Sequence, residues 1–114
     1  MADSRLASKP PHNRIDETIH QRTRLAIMAT LAGVPSLDFL ELKAQLGLTD
    51  GNLSTHLAAL ERAGYVKVAK KFRGRKPLTT VAQTAKGRGA LARYVALLQG
   101  ILNQAKHTEE GEQT

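Results

Sequence analysis

The chain has 114 residues, which is enough for one domain with one hydrophobic core and too few for two. It contains no cysteine, so disulfides and thiolate metal sites are excluded, and it has no apolar run of about 18 residues that would cross a membrane. The net charge of +7 is compatible with a polyanionic partner such as nucleic acid or an anionic membrane.

The first 13 residues are rich in serine, lysine and proline and poor in apolar side chains, which predicts a flexible N-terminal arm. This segment lacks the apolar centre of a signal peptide, so we expect a cytoplasmic protein. The arm is either merely disordered or, because it is basic, a segment that touches nucleic acid. We expect a single domain over residues 14–102 and a polar tail over residues 103–114.

Two amphipathic helices are predicted next. In residues 15–32 apolar side chains recur at a spacing of four, which indicates a helix that ends before Gly33. Asp38 and Glu41 have the spacing of a capping box, which predicts the start of a second helix. Gly47 is the expected end of this second helix.

A third helix is predicted over residues 49–63, with Thr49 as its N-cap and Gly64 as its stop. Its apolar row consists of Leu53, Leu57 and Leu60. Two residues separate it from the second helix, which is the arrangement of a helix-turn-helix motif.

The opposite face of this third helix carries small and polar side chains, which let a helix approach its partner closely. A helix-turn-helix reads the major groove with the N-terminal residues of its second helix. Asn52, Ser54 and Thr55 are therefore candidates for contacts with bases or phosphates, and Arg62 for the DNA backbone. Alternatively, these side chains are simply exposed. Gly51 either permits close approach to DNA or marks a loosely wound start.

His56 lies near the edge of the packed face, about 60° from Leu53 on a helical wheel. This position indicates a packing role or a contact with phosphate rather than base reading.

The apolar period then changes to that of strands, which predicts a hairpin with strands at 65–72 and 78–83 and a turn at 73–77. No acidic residue occurs between Glu61 and Glu109. Cations surround the turn without acids beside them, which favours contacts with DNA phosphates and entry of arginine into a minor groove. A solvated surface hairpin is the alternative. The cations are Lys70, Lys71, Arg73, Arg75 and Lys76.

Thr84 is the expected cap of a last helix, whose apolar stripe is wider than a small domain needs. Part of this stripe, joined by the first helix, is predicted to pack on a second copy of the chain. Alternatively, the stripe only closes the core of the single chain. The predicted dimer interface consists of Ile19, Leu91, Tyr94, Val95, Leu98, Ile101 and Leu102.

The segments LSTHLAALERAGYV and KKFRGRKPLTTVAQTAKGRGAL, in this order, resemble the winged-helix transcriptional regulators of the MarR/ArsR type over residues 14–102. The resemblance implies a mainly α fold with a small β-hairpin (α+β): a winged helix-turn-helix with a C-terminal dimerisation helix. The third helix would then enter the major groove, and a basic wing at 67–77 would lie on the backbone or minor groove. The predicted contacts in the recognition helix are Thr49, Gly51, Asn52, Ser54, Thr55, His56 and Arg62, and those in the wing are Lys70, Lys71, Arg73, Arg75 and Lys76.

The implied function is that of a homodimeric transcriptional regulator that binds double-stranded DNA with sequence specificity. Its operator would be an inverted repeat whose half-sites lie about 34 Å apart. The sequence shows no enzyme constellation and no metal or cofactor motif, and it does not identify an effector. The rival interpretations are an RNA-binding module and a protein-interaction module. Binding of single-stranded RNA generally requires aromatic stacking platforms, and this chain has only two Tyr and two Phe residues.

Overall fold

The computed structural model describes residues 10–112, so most of the predicted arm lies outside the described residues. Within them a 3-10 turn, Pro11–Arg14, precedes four α-helices and three strands. The antiparallel sheet has the strand order β1-β3-β2, and the predicted fold class is confirmed. In chain order the elements are α1 (Arg22–Ala32), β1 (Leu37–Asp38), α2 (Phe39–Leu46), α3 (Asp50–Arg62), β2 (Val66–Arg73), β3 (Lys76–Gln83) and α4 (Ala85–Glu112).

The first helix is shorter than the sequence pattern predicts, because α1 begins only at Arg22. Upstream, the Asp16 carboxylate accepts hydrogen bonds from the backbone N–H groups of Thr18, at 3.0 Å, and Ile19, at 3.3 Å. Such side-chain bonds compete with helical backbone bonds and hold this segment in a turn. Ile19 is nevertheless fully buried, so its apolar character reports burial rather than helix.

The helix-turn-helix is confirmed. Gly47 ends α2 in the left-handed conformation with φ of +63°, and the Thr49 hydroxyl caps α3 by accepting from the Asn52 N–H at 3.1 Å. The predicted capping box at Asp38 is wrong, because this residue precedes α2 but its side chain makes no capping bond. Its backbone belongs instead to β1.

The hairpin turn is tighter than predicted. Arg73 pairs with Lys76, so only Gly74 and Arg75 lie between the strands. Gly74 has a φ of +64°, which a glycine at the first position of a two-residue turn adopts without strain. The short strand β1, which no pattern in the sequence predicts, pairs with Thr80 and Val81 of β3.

The core is enclosed by α1, α2, α3, the inner face of the sheet and the first turns of α4. The Thr84 hydroxyl caps α4 by accepting from the Gly87 N–H at 2.9 Å, as predicted, and it donates to the Gly64 carbonyl at 2.6 Å. The helix then continues to Glu112, although the sequence pattern predicts its end near Leu102. The polar residues of this last part include good helix formers and no proline, so they extend the helix without a core to pack on. Over residues 10–112, no helix has the length and apolar character needed to cross a membrane.

Candidate nucleic-acid interface

Helix α3 has one packed face and one open face. Leu53, Leu57 and Leu60 are buried, because this face closes the core against α1 and the sheet. The predicted contact residues on the other face are exposed, as expected for a helix that can lie against a partner. They are Thr49, Gly51, Asn52, Ser54, Thr55 and Arg62.

His56 differs from these residues because it is half-buried and directed at α1. Its Nδ1 lies 3.3 Å from Nη1 of Arg24, and since a guanidinium only donates, the imidazole nitrogen is the acceptor. Burial and the positive charge of Arg24 lower the pKa of His56 below its ordinary value near 6.5. The neutral ring thus holds an arginine at the flank of α3.

The basic hairpin extends into solvent, and all five of its predicted cations are exposed. Arg73 stands directly opposite Lys76 in the strand pairing. Like charges in such a pair destabilise a hairpin, and an external anion would relieve the repulsion. Phe72, between these cations and the core, is 74% exposed.

The acidic residues nearest this surface are engaged within the chain. The Asp50 carboxylate, at the start of α3, lies 2.8 Å from the Lys43 ammonium of α2. The Glu61 carboxylate accepts a hydrogen bond from the Val68 N–H of β2 at 3.1 Å. The structure corrects the expectation that no acid lies near the hairpin cations, because β1 places Asp38 4.0 Å from the Arg73 guanidinium. At this distance and with Arg73 79% exposed, the pair contributes little to stability.

A group of contacts around Tyr65 fixes the end of α3 relative to the hairpin and α4. The Tyr65 hydroxyl donates a hydrogen bond to the Asp16 carboxylate. Burial, assisted by this carboxylate, raises the pKa of Tyr65 to about 12. On the other side, α4 approaches so closely that a Cβ on Gly87 would lie 2.1 Å from the Tyr65 carbonyl oxygen.

The residues predicted to form a dimer interface do not share one surface. Ile19 is fully buried and Tyr94 is 5% exposed, and the Tyr94 hydroxyl lies 3.0 Å from Nδ1 of His20. Both side chains pack within the single chain, so neither is available to a second copy. Leu91, Leu98 and Ile101 are half-buried, whereas Val95 and Leu102 are 54% and 55% exposed.

Sequence reasoning missed three charged residues that shape this surface, namely Arg24, Asp38 and Lys43. A local sequence signal does exist for Arg24: the first turn of α1 contains two arginines and no acid, which indicates an uncompensated positive charge. No such signal exists for Asp38 and Lys43. Their partners, Arg73 and Asp50, are brought near by β1 and by the turn between α2 and α3. Over residues 10–112, no three His, Asp or Glu side chains come together as metal ligands.

Comparison with known proteins places this geometry in context. A family model described as a winged helix DNA-binding domain matches residues 23–102. An uncharacterized protein of Methanocaldococcus jannaschii is 40% identical over 86 residues, which cover 75% of this chain and 90% of that protein. The structure of a transcriptional regulator homologue from Pyrococcus horikoshii is similar, with a TM-score of 0.75 and 31% identity over 79% of this chain and 89% of that one. The transcriptional regulator MOSR of M. tuberculosis, solved with DNA, has a TM-score of 0.62 and 26% identity over 79% of this chain and 64% of its own.

Proposed function

Because the chain belongs to the winged helix DNA-binding domain family, we propose that it is a transcriptional regulator that binds double-stranded DNA with sequence specificity. The observation that carries this proposal is the position of the open polar face of α3 beside a hairpin of exposed cations. Family and fold point to a DNA-binding regulator rather than to an enzyme.

In the proposed complex α3 enters the major groove, which is about 12 Å wide and admits one helix. Asn52, Ser54 and Thr55 are exposed in its first two turns, where side chains of a recognition helix reach base edges. The hairpin cations lie on the adjacent backbone or in the minor groove, where they neutralise phosphates whatever the sequence. Base contacts and phosphate contacts are therefore assigned to different elements.

The first experiment measures fluorescence anisotropy with a duplex from upstream of the protein's own gene and a scrambled duplex, over a range of salt concentrations. Substitution of Arg73→Ala with Arg75→Ala should weaken binding to both duplexes. The plot of log K against log salt should become shallower by about 1.8, from about 0.9 for each phosphate contact. The control pair Arg93→Ala with Lys106→Ala removes the same charge from exposed positions on α4 and should leave the slope near that of the wild type.

A second pair of variants separates specificity from affinity. Asn52→Ala and Thr55→Ala should reduce preference for the native duplex by about 1–3 kcal/mol and leave the salt slope unchanged. The cap of α3 survives in Asn52→Ala, because Thr49 accepts from the backbone N–H of residue 52. Equal binding of both duplexes by the wild type would contradict specificity for this sequence. Absence of binding to either duplex would favour a protein-interaction module, and preference for single-stranded RNA competitor would favour an RNA-binding module.

The proposal includes a homodimer that reads an inverted repeat. An open groove of about 580 Å³ lies between the end of α1 and α4, and its lining is mostly apolar. Ala32, Leu91, Ala92, Val95 and Ala96 supply most of that lining. Further along α4 the apolar surface continues to Leu102, so a second copy of the helix can cover it.

Light scattering coupled to gel filtration tests the dimer. Val95→Glu with Leu102→Glu should convert a dimer into a monomer, because each glutamate would place a charge in an apolar contact. Leu40→Glu is the matched control, since Leu40 is 65% exposed on α2 and outside the proposed interface. A wild-type mass equal to one chain, or a double variant that remains dimeric, would argue against this surface.

A further inference from the structure

The two flanks of α3 are occupied by different elements. On one flank Glu61 bonds to β2, so the flank that also carries Ser54 and Ala58 faces the sheet and its hairpin. On the other flank, which carries Asn52 and His56, the neighbour is the start of α1. The major groove is bounded by a phosphate backbone on each side. Because helix and groove have similar widths of about 10–12 Å, a helix in the groove lies close to both backbones. The hairpin cations lie beside only one of these two backbones.

Arg24 occupies the flank without the hairpin. Its Nε donates to the Thr18 carbonyl at 2.5 Å and its Nη1 donates to Nδ1 of His56 at 3.3 Å. These two bonds hold the guanidinium against α3 at the level of its second turn. Of the five N–H groups of an arginine, three remain for an external acceptor.

No carboxylate neutralises this arginine within the part of the chain described. Among the side chains that the structure describes between residues 12 and 108, the ion pairs join Lys43 to Asp50 and Arg73 to Asp38. The partner of Arg24 on α3 is an imidazole, which is a neutral acceptor and supplies no negative charge. The first turn of α1 likewise contains no acid. A fixed, half-buried cation beside the face that meets DNA thus lacks a counter-charge.

We propose that Arg24 binds a DNA phosphate on the side of α3 opposite the hairpin, with Thr18 and His56 holding its guanidinium in place. This assignment rests on the proposed function and extends it, since the recognition helix is then bracketed by phosphate contacts on both sides. A bracketed helix has a fixed position across the groove, because its contacts with one backbone oppose those with the other. Arg24 therefore contributes to the alignment of Asn52 with the bases as well as to affinity.

The test is the salt dependence of DNA binding by Arg24→Gln, measured by anisotropy with the duplex that the wild type prefers. Loss of one phosphate contact should make the slope of log K against log salt shallower by about 0.9 and weaken binding about tenfold. Lys106→Gln is the control, because it removes the same charge from an exposed position about 30 Å along α4 from the start of that helix. The control should keep the wild-type slope.

A second variant guards against loss of folding in Arg24→Gln, which also breaks the bonds to Thr18 and His56. Arg24→Lys keeps the charge and the long aliphatic stem but loses the fork that makes both bonds. It should keep the wild-type slope and bind several-fold more weakly, because a lysine is not held in position. Circular dichroism at the assay temperature verifies that each variant is folded.

The outcomes separate this inference from the proposed function. If the wild type binds and the hairpin variants lose affinity, but Arg24→Gln keeps the slope of Lys106→Gln, the phosphate contact of Arg24 is refuted and the function stands. Weaker binding of Arg24→Gln with an unchanged slope also refutes it, because the residue then acts only through packing. Wild-type affinity in Arg24→Lys refutes the positioned guanidinium. Failure of the wild type to bind any duplex refutes both proposals.

Discussion

Replacement of Gly87 by alanine should destabilise the protein, although the same change inside a helix ordinarily stabilises it. Gly87 lies in the first turn of α4, where that helix crosses the segment between α3 and β2. An added Cβ would lie 2.1 Å from the Tyr65 carbonyl oxygen and 2.9 Å from its carbon. Ordinary contact begins near 3.4 Å, so the backbone would have to move by about 1 Å.

The expected cost follows from these contacts. Overpacking against a backbone that cannot rotate away costs about 1–3 kcal/mol. The Tyr65 carbonyl also accepts from the Thr84 N–H at 3.0 Å, and loss of that bond adds about 1 kcal/mol. The helix propensity of alanine offsets about 1 kcal/mol. The free energy of unfolding should therefore fall by about 1–3 kcal/mol, which lowers Tm by roughly 4 °C for each kcal/mol.

Gly100→Ala is the matched control in the same helix. An added Cβ there meets no atom within 4 Å, so only the propensity gain of about 1 kcal/mol remains and the stability should rise. Urea unfolding followed by far-UV circular dichroism, at one protein concentration for all chains, measures both changes. If Gly87→Ala proves as stable as Gly100→Ala, the close approach of α4 to Tyr65 is not a feature of the native protein.

Two further predictions concern the polar contacts that join distant segments. Tyr65→Phe removes the hydrogen bond to Asp16 and should lower the free energy of unfolding by about 1–2 kcal/mol at neutral pH. The pKa of Tyr65 is raised to about 12, so the folded state keeps a proton that the unfolded state releases above pH about 10. The stability of the wild type should therefore fall as the pH rises from about 10 to about 12. A phenylalanine variant with the same alkaline profile as the wild type would contradict this account. For His56 the shift is downward, so the unfolded state binds the proton first as the pH falls through about 6.5, and stability should decrease below that value. His56→Gln should lose this part of the pH dependence in urea titrations. If its acid profile equals that of the wild type, burial and the charge of Arg24 do not lower the pKa of His56.

The elements that could be predicted are those whose signals are local. Thr49, the leucine row of α3 and Gly47 act within a few residues of one another, so their positions follow from backbone geometry and periodicity alone. The hairpin is predictable for the same reason, although its turn is shorter than the span of polar residues around it. The exposure of the predicted DNA-contact residues on α3, apart from the half-buried His56, follows from the buried leucine row.

The differences at the first helix and at Tyr94 arise because the partners of these side chains are distant in sequence. The apolar repeat predicts a helix that includes Ile19, but Asp16 holds this segment in a turn through its own side-chain bonds and a hydrogen bond from Tyr65, 49 residues away. Tyr94 lies on the apolar stripe of α4, which the sequence pattern assigns to a dimer interface, but its side chain is buried within the single chain.

Local sequence signals are sufficient to specify the order of the helices, the third helix with its open polar face, and the cluster of cations at the hairpin. Each of these is encoded by neighbours along the chain, so it requires no knowledge of how the elements pack. The packing of separate elements sets which acids pair with which cations and which apolar residues close the core. It also brings Arg24 against His56, 32 residues further on. Such contacts form when separate elements dock, and periodicity and local propensity carry no information on that docking.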